Sequence, residues 1–390
     1  MSAKAKRGFF SINPEYSKYI HGILLAFIIY IFADAISKFI GIQILGLKKT
    51  PISNVMVSIV LGLIISNVYN IGDIFKPGIG YCLKFILRLG IIFLGIRLSF
   101  SDILTYGSLS IPLVIICIVS ALLIIKLLIK FLKISSKMAY LIAIGTAICG
   151  ITAIVAVAPI INAKKEEVSY ATANITLFGI LAIFIYPFFV HYYFPNDPQF
   201  AGMFIGTAIH DTSQVAGAGL VYDQLYSDPR VLEVATITKL VRNTFLIFLI
   251  PIVAFIYNRD NKNKKKNYSL SKVFPFFVIG FIAMVAFRTV GDELFLLGDG
   301  YSFVRESFFG DDIFIVDKAW ADLIDVIKNS SSIFLSMAMA SLGLSTKLSS
   351  LRDLGIKPMI VGLVTAFTVG VVSIVSLELF QKLYFVYLLN

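Results

Sequence analysis

The sequence predicts an all-α polytopic membrane protein, and three observations carry that expectation. Hydrophobic residues make up 58% of the 390 and charged residues only 15%, with a mean hydropathy of +0.88, which is more apolar surface than one soluble core can hide. Apolar windows of about 20 residues, the length of a bilayer-spanning helix, recur along the whole chain. Two of these windows are interrupted at matching positions by glycine and polar residues.

Reading such windows yields about eleven segments. The first, Ile20 to Leu45, follows a basic start with Lys4, Lys6 and Arg7. Ala33-Asp34-Ala35 mimics a cleavage site, yet apolar sequence resumes at once, so this reads as a retained span. Ile52 to Tyr69 and Ile79 to Leu98 follow, the latter with Lys84 near its end as an interface residue and Arg88 as a weaker site candidate. Leu109 to Leu132 ends in Lys130, Lys133 and Lys137. Met138 to Asn162 and Phe200 to Tyr222 are the interrupted pair, flanking Tyr170 to Phe194. Val231 to Tyr257 carries Lys239 and Arg242, and Val273 to Val290, Ala319 to Ser345 and Pro358 to Tyr387 complete the series. The chain is expected to be one transmembrane transporter domain over 1–390, with a cytoplasmic N-terminus (1–19), a basic cytoplasmic loop (258–272) and an acidic extracytoplasmic loop (291–318).

A net charge of +11 raises nucleic acid as a partner, but the cations sit in short loops between apolar spans rather than on one soluble face. Topology explains them better. With a cytoplasmic N-terminus, the Arg259 to Lys272 stretch, Lys130, Lys133, Lys137, Lys347, Arg352 and Lys357 fall inside. Asp292, Glu293, Asp299, Glu306, Asp311, Asp312 and the C-terminus fall outside; Lys48 and Lys49 are the exceptions. A multi-pass protein of a prokaryotic cytoplasmic (inner) membrane is expected, with the lipid bilayer as partner. A homodimer is compatible with the sequence.

Cys82, Cys117 and Cys149 lie in apolar windows without disulfide or metal-ligand spacing. No phosphate-cradling Gly-rich lysine motif, His-Glu-x-x-His or nucleophile elbow is present, so no enzyme activity and no resident metal or cofactor are expected. Work must then draw on a gradient, with a proton or sodium ion as coupling ion.

The chemistry concentrates in the interrupted pair. Gly145-Thr146-Ala147-Ile148 followed by Cys149-Gly150-Ile151-Thr152 echoes Gly206-Thr207-Ala208-Ile209 followed by His210-Asp211-Thr212-Ser213. A further echo links Leu94-Gly95-Ile96, Gly107 and Pro112 to Leu342-Gly343-Leu344, Gly355 and Pro358, in spans of opposite direction, as in an inverted repeat around a midplane site. Each interrupted segment either crosses as a broken helix or enters and leaves on one side as a re-entrant hairpin. Lys164 and Lys165 favour the second, because it places them inside.

A helix that restarts at membrane depth presents free N–H groups and the positive end of its dipole, a seat for an oxyanion. Cys149, Gly150 and Thr152, and His210, Asp211, Thr212, Ser213 and Gln214, are therefore the candidate substrate- or ion-binding residues. His210 and Asp211 are the pair able to couple to protons, and Asp211 with freed carbonyls is an alternative sodium site. The competing reading is that these groups merely hold the segments together. Lys239 and Arg242, three apart on one helical face, would draw an anion toward them or else snorkel to the interface. Asn174 is a lone polar group, counted with the candidates although such groups more often glue helices together.

The strings Leu94-Gly95 with Leu98-Ser99 and Asp102-Ile103, Cys149-Gly150 leading to Ala156-Val157-Ala158-Pro159, Glu166-Glu167-Val168-Ser169-Tyr170-Ala171, Ala208-Ile209-His210-Asp211-Thr212-Ser213-Gln214-Val215, and Lys239-Leu240 with Arg242 resemble the YeiH-type sulfate exporter family of prokaryotic inner-membrane proteins. That resemblance covers nearly the whole chain, apart from a longer 291–318 loop. It implies a secondary transporter related to the bile-acid symporter and sodium/proton antiporter folds, carrying sulfate or an organosulfonate. The alternatives are an ion channel, for which no selectivity filter is visible, and a non-transporting membrane assembly subunit.

Overall fold

Backbone at membrane depth has no water to pair with, so it must satisfy its own hydrogen bonds, and a helix does this within one segment. The computed structural model describes residues 14–44, 50, 52–132, 134–260, 276–295, 313–347, 349 and 356–389, and every extended element among them is helical. In order these are α1 (Pro14–Lys38), α2 (Asn54–Val68), α3 (Lys76–Tyr81), α4 (Leu87–Leu94), α5 (Phe100–Leu132), α6 (Ser136–Ala147), α7 (Ile151–Val157), α8 (Lys165–Tyr193), α9 (Pro198–Ala208), α10 (Thr212–Tyr226), α11 (Arg230–Thr244), α12 (Leu246–Asp260), α13 (Phe277–Phe295), α14 (Ile313–Ser345) and α15 (Ile356–Leu389). A wide turn, Cys82–Ile86, joins α3 to α4 in one span. Lys4, Lys6, Arg7, Lys48, Lys49, Lys133, Arg352 and Gly355 lie outside the described residues, as do most of the 258–272 and 291–318 loops with Asp299, Glu306, Asp311 and Asp312.

Six helical stretches among the described residues are long and apolar enough to cross a membrane: Ser17–Ile44, Lys76–Arg97, Phe100–Leu132, Lys165–Tyr193, Arg230–Val253 and Ile356–Lys382. The other windows read from the sequence hold the shorter α2, the interrupted pairs α6/α7 and α9/α10, and the helices α13 and α14.

Contacts along α8 decide the course of the interrupted pairs. Its 29 residues run about 43 Å at roughly 1.5 Å per residue. At its N-terminal end, Ser135 before α6 bonds Glu167 and Lys137 Nζ donates to the Asn162 carbonyl at 2.8 Å, so the chain after α7 has returned to where α6 began. At its C-terminal end, Phe194 meets Phe200 of α9, and His191 stacks on Tyr226 of α10 with ring centroids 3.6 Å apart. Both pairs are therefore re-entrant hairpins, inserted from opposite ends of the bundle and meeting tip to tip.

The helices pack in two groups. In one, α1, α2, α3–α4, α13 and α14 contact each other; in the other, α5 to α12 and α15 do so. Glycine lets the backbones of the first group nearly touch. A Cβ on Gly62 of α2 would lie 3.0 Å from Gly343 Cα of α14, and one on Gly343 would lie 2.4 Å from the Ile59 carbonyl. The seam between the groups follows α10, which packs on α2 and α14. Polar links cross it near one end: Ser53 Oγ donates to Gln224 Oε1 at 2.6 Å, Gln224 Nε2 donates to Asn54 Oδ1 at 2.8 Å, and Arg97 pairs with Asp223 at 3.2 Å. Ile86 clusters with Met337 and Ile96 with Ile324, so the α3–α4 span and α14 run antiparallel and place Leu94-Gly95 and Leu342-Gly343 at opposite ends, with Ser331 Oγ donating to the Gly90 carbonyl at 2.7 Å.

Two outcomes are expected. Cysteines introduced at Lys137 and Asn162 react with an impermeant maleimide from the same side of the membrane, and those at Asp197 and Asp228 from the other; opposite-side labelling of 137 and 162 would contradict the hairpin. Gly343→Val lowers stability by about 1–3 kcal/mol through overpacking, read by thermal unfolding of purified protein.

Candidate functional site

A helix leaves its last carbonyls without intrahelical donors. Here two such ends, those of α6 and α9, face one another deep in the bundle. The α6 tip turns through Ile148, Cys149 and Gly150, and the α9 tip through Ile209, His210 and Asp211. Gly150 has φ +67° and ψ −127°, and a Cβ there would lie 2.7 Å from Asp211 Oδ2, so the turn needs glycine for both conformation and room.

Lys239 and Arg242, both fully buried on α11, fill the junction. Lys239 Nζ donates to the carbonyls of Ile148 and Ile209, each at 2.9 Å, and to that of His210. Arg242 Nε donates to Ala147 O at 2.6 Å, Nη1 to Thr207 O and to Ile209 O at 3.2 Å, and Nη2 to Thr146 O. The two cations thus cap the negative dipole ends of both half-helices and tie the tips together. Their N–H donors meet backbone carbonyls, so any pull they exert on an incoming anion acts through charge and not contact. Neither snorkels to an interface.

The restart of α10 is capped from within. Asp211 Oδ1 accepts from Ser213 N at 2.9 Å and Ser213 Oγ at 2.6 Å, while Gln214 Oε1 accepts from Asp211 N at 3.2 Å, a reciprocal capping box. Gln214 lies over Gly179 of α8, where a Cβ would overlap it. Thr212 Oγ1 accepts from Asn243 Nδ2 at 3.0 Å. Asp211 and Thr212 are half-buried, whereas His210, Ser213 and Gln214 are buried. His210 Nδ1 and Asn243 Oδ1 are buried without a hydrogen-bond partner, and no hydrogen bond joins His210 to Asp211.

Of the candidates, His210, Asp211, Thr212, Ser213, Gln214, Cys149, Gly150, Lys239 and Arg242 are brought to the junction. Cys149 is buried, and Thr152 follows in α7 as an exposed residue. Asn174 stands apart: its Nδ2 donates to the Pro358 carbonyl at 2.7 Å, and its Oδ1 faces Gly362, so it joins α8 to α15. Sequence reasoning missed the backbone oxygens of Thr146, Ala147, Thr207 and Ile209 as the partners of the cations. The doubled Gly-Thr-Ala-Ile string was the available signal. Among the described residues, no cluster of three or more His, Cys, Asp or Glu could hold a metal ion.

Two outcomes follow. Gly150→Ala costs about 1–3 kcal/mol through forced backbone strain, read as a lower unfolding temperature. Arg242→Met, which leaves several buried carbonyls unpaired at about 1–3 kcal/mol each, costs more than Asn174→Ala in the same assay.

The family profile described as Conserved hypothetical protein 698 matches residues 21–362. A UPF0324 membrane protein of Streptococcus agalactiae is 33% identical over 355 residues, covering 91% of this chain and 96% of its own. One of Fusobacterium nucleatum is 31% identical over 358 residues with the same coverage, and one of Clostridium tetani is 27% identical over 369 residues. No solved structure matches the chain. With apolar helices along its length and relatives of this kind, the chain is a multi-pass membrane protein and belongs to the UPF0324 family of Conserved hypothetical protein 698, the YeiH-like family its motifs resemble.

Proposed function

We propose that the protein is a secondary active transporter of a small anion, sulfate, a sulfonate or a related organic anion, working by alternating access around the two hairpin tips with a proton or sodium gradient as the driving force. The observation that carries this reading is the charge at the junction. Two basic side chains, Lys239 and Arg242, stand against one acidic side chain, Asp211, so the side-chain charge beside half-buried Asp211 and Thr212 leans positive. A low-dielectric setting makes an anion the natural counter-charge. Paired interrupted helices around a central site are the recurring architecture of gradient-driven carriers.

The seam supports movement. Each packing group is internally tight, and the polar links across α10 are few enough to break and re-form as one group shifts against the other. Orientation follows from charge. Lys130, Lys137, Lys164 and Lys357 gather at the end where the α6/α7 hairpin opens, and Asp197, Asp223, Asp228 and Glu378 at the other, which favours a cytoplasmic N-terminus and an extracytoplasmic C-terminus.

Flux of labelled sulfate and sulfonates into proteoliposomes tests the proposal. Wild-type protein is expected to show saturable uptake and counterflow, and Asp211→Asn with Thr212→Val to cut uptake about tenfold, equivalent to about 1.4 kcal/mol. Uptake equal to that of empty liposomes overturns the reading; flux without counterflow assigns a channel instead.

A further inference from the structure

Carbonyl oxygens freed at interrupted helices are the usual ligands of a coupling sodium ion in carriers of this architecture. In this chain those oxygens already have a cation. We infer that the Lys239 ammonium, backed by Arg242, permanently occupies the cation seat between the two hairpin tips, so that no sodium ion binds there and transport at this junction is sodium-independent.

Three observations converge on this. Lys239 Nζ has three carbonyl oxygens around it, Ile148, Ile209 and His210, drawn from both tips. Three acceptors match the three N–H bonds of an ammonium, whereas a neutral amine has only two. The carbonyls of Thr146, Ala147 and Thr207, three further oxygens released by the breaks, are taken by Arg242, whose Nη1 also shares Ile209. Both side chains are fully buried, so neither leaves room for a hydrated ion to compete. Of the anionic groups at the junction, Asp211 commits Oδ1 to Ser213, which leaves Oδ2 as a single oxygen, fewer than the six or so ligands a hard cation gathers.

A fixed cation differs from a bound one in what it couples. A sodium ion that must bind before the tips can close links transport to the sodium gradient; a tethered ammonium holds the tips in register throughout the cycle and adds its charge without being transported. The consequence for transport rests on the carrier reading above. The occupancy of the seat does not, and is tested apart from it.

The experiment is thermal unfolding of the purified full-length protein in sodium chloride and in choline chloride at matched ionic strength, for wild type, Lys239→Ala and Lys239→Met. Wild type is expected to melt at the same temperature in both salts. Lys239→Ala, with an emptied seat, is expected to melt several degrees lower in choline and to recover at least half of that loss in ammonium or sodium chloride. Lys239→Met, which fills the volume without charge, is expected to show no such recovery. A sodium-specific rise in the wild type overturns the inference, as does an alanine variant that no small cation rescues. Should the alanine variant fail to fold, binding of radiolabelled sodium to wild type decides: none is expected, and saturable stoichiometric binding overturns it. These readouts involve no transport, so a protein that moves no anion leaves them intact. If transport is found, the expected anion counterflow is unchanged when sodium is replaced by choline on both sides.

Discussion

The structure depends on the bonds from Lys239 and Arg242 to the carbonyls at two helix ends. A helix that stops inside a membrane protein exposes backbone oxygens where water is scarce, at a cost of several kcal/mol for each unpaired group in hydrocarbon. Two such ends meet here, and two cations one turn apart on α11 meet their needs together. Burying the cations is itself costly, and the helix dipoles and hydrogen bonds offset that cost only in this geometry. Either feature alone would be unstable, so the hairpins and α11 specify one another.

That constraint explains the packing around α11. A Cβ on Gly206 of α9 would lie 2.7 Å from the Ala235 carbonyl, and one on Gly219 of α10 would lie 2.8 Å from Leu232 Cα. Close approach of both arms of the α9/α10 hairpin to α11 brings its tip within reach of side chains that extend only a few bonds. Ser110 of α5 bonds Thr238 at 2.8 Å, so a third helix holds α11 next to the Gly206 contact. By contrast, where α10 meets the other packing group, Gly217 faces the sulfur of Met339, a flexible and adaptable contact. Rigidity is concentrated around the junction, and yielding contacts lie along the seam.

The capping of α10 by its own Asp211 shapes what the junction can accept. The carboxylate already sits at the positive end of the α10 dipole, so a solute anion would not simply take an empty helix terminus; it would add to a site whose local charge is set by three fixed groups. The unpartnered nitrogen of His210 and oxygen of Asn243 are buried beside this cap, polar atoms for which the protein provides no mate. Buried polar atoms left without partners are uncommon and concentrate where function requires them.

Much of this was legible from the residues. Composition and window length give a helical membrane protein because lipid admits few alternatives for backbone. Breaks near Cys149 to Thr152 and near His210 to Gln214 were legible too, since glycine and clustered polar side chains interrupt an apolar run for local reasons; the helices stop slightly earlier, at 148–150 and 209–211. The course of the chain beyond each break was not, because a broken span and a hairpin share one local pattern; contacts such as Lys137 with Asn162 and His191 with Tyr226 settle it. Nor could spacing tell what Lys239 and Arg242 bind, for their partners lie up to 96 residues away and are main-chain atoms that every residue possesses. Asn174, equally polar in sequence, lies on α8 against α15 and away from the tips for the same reason: a side chain's chemistry is local, but its neighbours are chosen by the packing of distant helices.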